Sequence, residues 1–186
     1  EDERLQAYFS ARERLLAAGY RQSSMRMFTR ADAPEPKGRY RCQEDGMIGL
    51  GAGARSYTQS LHYSSHYAVG KPHIKRIIED YANTTAAEFA TASYGIELDL
   101  ADKKRRYLLL SLLQTSGFAL VDYTEQFGTQ LLDDAPQLSL LVKHNLAVIS
   151  DEHIQLNETG IAYSDLIGSW LFTPTIRERM QGWIWK

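Results

Sequence analysis

Residues 3–18 place Leu5, Tyr8, Phe9, Arg12, Leu15 and Leu16 at helical spacing, and Gly19 stands where a glycine stops a helix. The period then changes. Tyr20–Thr29 alternates and reads as a strand, with Tyr20, Met25, Met27 and Phe28 as its apolar positions. Pro34, Pro36 and Gly38 make Ala31–Arg39 a loop. Gly46–Leu50 reads as a second strand. It runs into Gly49-Leu50-Gly51-Ala52-Gly53-Ala54, a stretch with almost no side chains. Arg55–Tyr63 reads as a third strand, with Tyr57, Gln59, Leu61 and Tyr63 alternating against Ser56, Thr58, Ser60 and His62. Ser64–Pro72 is a loop. His73–Ala82 is a short helix with Ile74, Ile77, Ile78 and Tyr81 on one face.

After residue 83 the pattern becomes mainly helical. Asp102–Thr115 carries Leu108, Leu109, Leu112 and Leu113 behind a basic run, Lys103-Lys104-Arg105-Arg106. Asp122 with Glu125 three residues on predicts a capped helix through Leu132. Ala135–Leu146 is a further helix, Val148–Leu156 a tight hairpin around Asp151-Glu152, and Glu158–Phe172 a last helix stopped by Pro174. Three helices, a small hairpin and another helix outline a winged-helix-like module. The chain divides on this reading into residues 1–83 and 84–186.

Composition narrows the function classes. The 186 residues hold 21 Lys plus Arg against 23 Asp plus Glu, a net charge of −2, and 44% hydrophobic residues. That is enough for one domain or two small ones. A pI near 6.2 argues against non-specific nucleic-acid binding. The longest apolar run, Tyr107–Leu113, falls well short of the roughly 20 residues of a membrane span. The opening Glu1-Asp2-Glu3-Arg4 is no signal peptide. Cys42 is the only cysteine, so no internal disulfide forms. The expected location is cytoplasmic. Because the chain starts on Glu1 inside a helical pattern, it reads as a fragment of a longer protein.

The candidate chemistry centres on Gly49–Gly53. The run is G-x-G-x-G rather than G-x-G-x-x-G, and no long helix follows it, which argues against a dinucleotide phosphate loop. It either touches a cofactor or packs a strand tightly against a helix. Arg39, Arg41 and Arg55 lie near it in sequence and suit a polyanionic ligand. His62 and Tyr63, with His66 and Tyr67, line a pocket wall or form a polar surface loop. No histidine spacing matches a metal motif, and no nucleophile–base pair stands out, so no catalytic or metal-binding residue is assigned. The candidate recognition helix of a DNA-binding reading carries only Lys143 and His144 behind Asp133 and Asp134. That favours a packing module.

Two stretches carry a family resemblance. One is Gly19-Tyr20, a proline loop, Tyr40, and then Asp45-Gly46-Met47-Ile48-Gly49-Leu50-Gly51-Ala52-Gly53-Ala54-Arg55-Ser56. The other is Asn145-Leu146-Ala147-Val148 followed by Ile154-Gln155-Leu156-Asn157-Glu158-Thr159-Gly160. Together they resemble the C-terminal part of oxygen-independent coproporphyrinogen III oxidases and their radical S-adenosylmethionine relatives, over roughly residues 5–173. The resemblance implies a partial β/α barrel whose three clustered cysteines hold a 4Fe–4S cluster. The cluster reduces S-adenosylmethionine to a 5′-deoxyadenosyl radical, which starts oxidative decarboxylation of propionates. Relatives also include haem chaperones. The glycine loop of that family lies beside S-adenosylmethionine, a role carried here to Gly49, Gly51, Ala52, Gly53, Ala54, Arg55 and Ser56. Arg39, Arg41, His62 and Tyr63 are the candidate substrate residues.

The sequence departs from that family at Arg55, at Ser64-Ser65 and in its lack of cluster cysteines. A single thiolate cannot hold such a cluster. The expectation is therefore an α+β chain containing the last strands of a partial β/α barrel and a mainly helical, winged-helix-like C-terminal domain. It would complete the S-adenosylmethionine site and a small-molecule, porphyrinogen-like substrate pocket, without being catalytic alone. Its partner would be the missing N-terminal radical S-adenosylmethionine barrel half. Failing that, an exposed strand edge at 20–30 or 46–62 predicts an edge-to-edge homodimer or loose strands. The alternative is a non-enzymatic, winged-helix-like protein interaction module. Neither reading calls for nucleic acid or a membrane.

Overall fold

A computed structural model describes residues 2–34, 45–65, 70–92 and 94–181. The fold is mixed α+β. In chain order the elements are α1 (Asp2–Ala17), β1 (Tyr20–Gln22), β2 (Phe28–Arg30), β3 (Arg55–Tyr57), β4 (Leu61–Ser64), α2 (Lys71–Asn83), α3 (Ala86–Phe89) and β5 (Gly95–Glu97). There follow α4 (Leu100–Leu112), β6 (Phe118–Ala119), α5 (Leu120–Phe127), α6 (Leu131–Asp134), α7 (Leu138–Lys143), β7 (Ala147–Ile149), β8 (His153–Leu156), α8 (Glu158–Ala162), α9 (Ser164–Trp170) and α10 (Pro174–Gln181). The described strands form three small antiparallel sheets, β1-β2, β3-β4-β5 and β6-β8-β7, and no barrel.

Contacts divide the chain into two compact units, one of Glu1–Arg39 with Tyr107–Phe172, the other of Tyr40–Arg106 with Thr173–Lys186. This division differs from the sequence boundary at 83/84. The N-terminal helix and hairpin pack with the helical C-terminal region. Arg12 donates to Gln22 Oε1 and to Glu158 Oε1, both at 2.7 Å, which ties α1 to β1 and to α8. Thr115 donates from its N–H to Ser23 O and from its hydroxyl to Gln22 O.

The first unit holds the hydrophobic core. Every buried hydrophobic side chain among the described residues lies between Tyr107 and Leu171. Leu108, Leu112, Leu138 and Ile154 are its centre. Each such side chain contributes about 1.5–3 kcal/mol when fully buried. Tyr107 sits edge-on to Phe118 and Phe127, at centroid distances of 5.8 and 5.5 Å. Tyr123 meets Phe127 at 4.9 Å with the rings tilted by 53°, and it donates its hydroxyl to Asp134. A buried phenol needs such an acceptor. The hairpin β7–β8 closes through Ser150, whose N–H donates to His153 O and whose Oγ accepts from His153 N–H. Asn157 caps α8 by accepting from Gly160 N–H at 2.9 Å.

Several sequence expectations change. Tyr20–Thr29 is a hairpin rather than one strand, because Ser23 N–H and Oγ both donate to Met27 O and turn the chain. Arg55–Tyr63 is also a hairpin. Thr58 Oγ1 accepts from the N–H groups of Ser60 and Leu61, and Thr58 N–H donates to Leu61 O. Gly46–Leu50 contributes only a bridge at Met47, paired with Tyr57. Helix α5 starts at Leu120 directly after β6, with Ala119 as its cap, so Asp122 falls inside the first turn rather than capping it. The Ala135–Leu146 helix is shorter, since α7 begins at Leu138 beyond Pro136. The last helix breaks at Tyr163 into α8 and α9, and Pro174 opens α10 instead of ending the helical region.

Candidate functional site

The second unit carries those sequence-predicted site residues that are described: Gly49, Gly51 to Ser56, His62 and Tyr63. Among its described residues only Ser56 is buried. Large apolar side chains stand in solvent beside the glycine loop: Ile48 is 76% exposed and Leu50 87%. On α2, Ile74 and Ile78 are exposed at 40% and 54%. The face expected of that helix is therefore present but uncovered.

The glycine loop is held by hydroxyl groups. Gly49 N–H donates to Ser56 Oγ at 3.0 Å, Gly51 N–H to the Tyr81 hydroxyl at 3.0 Å, and Gly53 N–H to Ser65 Oγ at 2.6 Å. These three donors are thus committed within the chain, which leaves them unable to cradle a phosphate as a nucleotide loop does. Gly51 adopts φ +111°, in the left-handed region, and a Cβ there would meet nothing within 4 Å. The loop presents bare backbone to open space at that point. Ala52 is exposed, and Ala54 lies against Gly49, whose own Cβ would stand 2.9 Å from the Ala54 side chain.

Strand register sorts the remaining residues onto two faces. Arg55 pairs with Ser64, Ser56 with Tyr63, and Tyr57 with His62. Alternation then puts Ser56 and Tyr63 on one face, and Arg55, Tyr57, His62 and Ser64 on the other. The structure brings Tyr63 to the side of the loop anchor Ser56. It does not bring His62 and Tyr63 together. Arg39 and Arg41 lie outside the described residues, as does Cys42.

On the Arg55 face, the Tyr57 and His62 rings meet edge-on at 5.8 Å. The Arg106 guanidinium lies over the Tyr57 ring, 4.6 Å from its centroid. Burial, and then the positive charges of Arg106 and Arg55, push the His62 imidazole below its ordinary pKa. Sequence reasoning missed Tyr81, Ser65 and Arg106 as members of the site. They lie 30, 12 and 49 positions from Gly51, Gly53 and Tyr57, their partners in the fold. Nothing local marks them.

The first unit has a surface groove of about 350 Å³ between α7 and α9, lined by Leu140, His144, Leu146, Tyr163, Leu166 and Trp170 among others. Its lining is almost wholly apolar. Helix α7, the candidate recognition helix, exposes Leu140 and Val142 rather than a basic face.

Among the described residues, no group of three or more His, Cys, Asp or Glu side chains could hold a metal ion, and no helix is long and apolar enough to cross a membrane. No family model, curated protein or solved structure matches the chain.

Proposed function

We propose that this chain is the C-terminal portion of a coproporphyrinogen III oxidase-like radical S-adenosylmethionine protein. In that role it completes the cofactor site and shapes a small-molecule, porphyrinogen-like pocket. One observation carries the reading: among its described residues the unit that bears the glycine loop buries no hydrophobic side chain, and it leaves Ile48 and Leu50 largely exposed. Apolar side chains exposed together in one stretch mark a surface that a partner covers. The N-terminal barrel half of the parent is the natural cover for them, pairing beyond the Met47 bridge and packing on α2.

The remaining pieces are consistent with this. The chain order helix, β6, helices, β7, β8, helix and the sheet order β6-β8-β7 support a winged-helix-like arrangement of the C-terminal region. The bare, open backbone at Gly51 suits a wall against a flat ligand. S-adenosylmethionine would lie along Gly49–Ser56, where Ala52 and Arg55 are exposed. A 4Fe–4S cluster does not fit this chain, whose one cysteine is Cys42. The parent would supply it, and the chain alone is not an oxidoreductase.

Titration of S-adenosylmethionine into the parent protein tests the reading. Gly51→Val, which forces a β-branched residue into a left-handed conformation, should weaken binding by about tenfold or more, roughly 1.4 kcal/mol. Unchanged affinity removes the loop from the site. A second reading, a winged-helix-like protein interaction module, is favoured by the apolar groove between α7 and α9. A parent that binds no S-adenosylmethionine at all leaves that reading standing.

A further inference from the structure

Helix α2 carries its charges in the wrong order for a helix on its own. Lys71, Lys75 and Arg76 stand in its N-terminal half, Glu79 and Asp80 in its C-terminal half. The first turn holds no acid, the last turn no base, and Gly70 supplies no capping side chain. A helix is positive at its N-terminus and negative at its C-terminus, so this order opposes the dipole. Within the helix Lys75 and Glu79 meet at 3.7 Å, an exposed pair of small worth. Arg76 and Asp80, also four apart, make no ion pair among the described residues. The apolar positions Ile74, Ile77, Ile78 and Tyr81 share one face, and no residue of α2 is buried. Tyr81 anchors the helix to the glycine loop through Gly51 N–H, and its ring meets Phe89 edge-on at 5.3 Å. Ile74 and Ile78, one turn apart, stand open.

We propose that this face of α2 pairs antiparallel with α2 of a second copy of the chain, about a two-fold axis beside Ile77 and Ile78. In that register Ile74 lies level with the partner's Tyr81, and Ile77 with the partner's Ile78. Lys75 then lies level with the partner's Asp80, and Arg76 with the partner's Glu79. Packed helices lie about 8–10 Å apart, within the Debye length of about 10 Å at 0.1 M salt. Opposite halves therefore attract across the pair without every ion pair having to close, and the two dipoles oppose each other as well. A parallel copy would set bases beside bases and acids beside acids. An isologous two-fold contact needs a patch complementary to itself, and α2 carries both halves of the complement. That is why the occupant is the same chain. The strand edges at 20–30 and 46–62 take no part. The pairing belongs to the chain by itself and does not rest on the reading above; in the parent, a barrel half seated on α2 would take the second copy's place.

Sedimentation equilibrium of the full chain tests the pairing. Two 13-residue helices bury less than a standard interface, so a monomer–dimer equilibrium with a Kd of about 10–100 μM is expected. Ile78→Lys, at an exposed position beside the axis, should weaken it by about tenfold or more. Lys75→Glu with Arg76→Glu should leave a monomer, because the helix then repels its copy. Glu79→Lys with Asp80→Lys should do the same. Mixed in equal amounts, the two charge variants should form a dimer again, which a merely misfolded helix cannot do. A chain that stays monomeric up to about 1 mM overturns the proposal. So does a dimer that Ile78→Lys or either charge variant leaves unchanged, which puts the contact elsewhere on the chain. A mixture of the two charge variants that stays monomeric overturns it too.

Discussion

Ser111 is 2% exposed on α4, and its hydroxyl has no hydrogen-bond partner among the described residues. A buried hydroxyl without a partner forfeits its hydration, at a cost of about 1–3 kcal/mol. Ser111→Ala removes that group and supplies the better helix former. The variant should be more stable by about 1 kcal/mol, read as a higher urea midpoint at unchanged slope. A lower midpoint would mean that the hydroxyl is satisfied in solution. The contrast with Tyr123 is instructive. That phenol is equally deep, yet it donates to Asp134, which also accepts from Thr129. Between Ser111 and Tyr123, only the hydroxyl on α4 is expendable.

At the scale of elements, the approach of β7 to α8 depends on one missing methyl. A Cβ on Gly160 would stand 2.0 Å from Leu146 O, the carbonyl that also accepts from Asn157 N–H. Backbone oxygen cannot step aside as a flexible side chain would. Gly160→Ala should therefore lose about 1–3 kcal/mol in urea unfolding despite the gain in helix propensity. The helix that opens at Glu158 was legible in the sequence, but the Asn157 cap and the approach of Gly160 to Leu146 were not read from it. Also legible were α1, α2, α4 and the β7–β8 hairpin, whose periods are unambiguous. The hairpins at 20–30 and 55–64 were hidden, since Ser23 and Thr58 continue the polar alternation of a strand while their hydroxyls bend it. Within the site, the glycine run announced itself. The split of His62 from Tyr63 follows from the strand period, but the anchors Tyr81 and Ser65 and the stacking of Arg106 are products of tertiary structure.

For the molecule as a whole, stability and candidate function reside in different stretches of chain. The described residues that exclude water run from Tyr107 to Leu171, while the glycine loop and its hydroxyl anchors belong to a unit whose one buried described residue is Ser56. Heat capacity records this separation. Unfolding a globular domain raises it by about 12–15 cal/mol/K per residue, because apolar surface becomes hydrated. Here much of the described apolar surface between Met47 and Leu100 is hydrated already. Scanning calorimetry of the chain should give an increment per residue clearly below that range, and a full-sized increment would mean that the second unit finds cover by itself. A small increment flattens the dependence of stability on temperature. The chain would then resist cooling well, and covering Ile48 and Leu50 would sharpen its response to temperature.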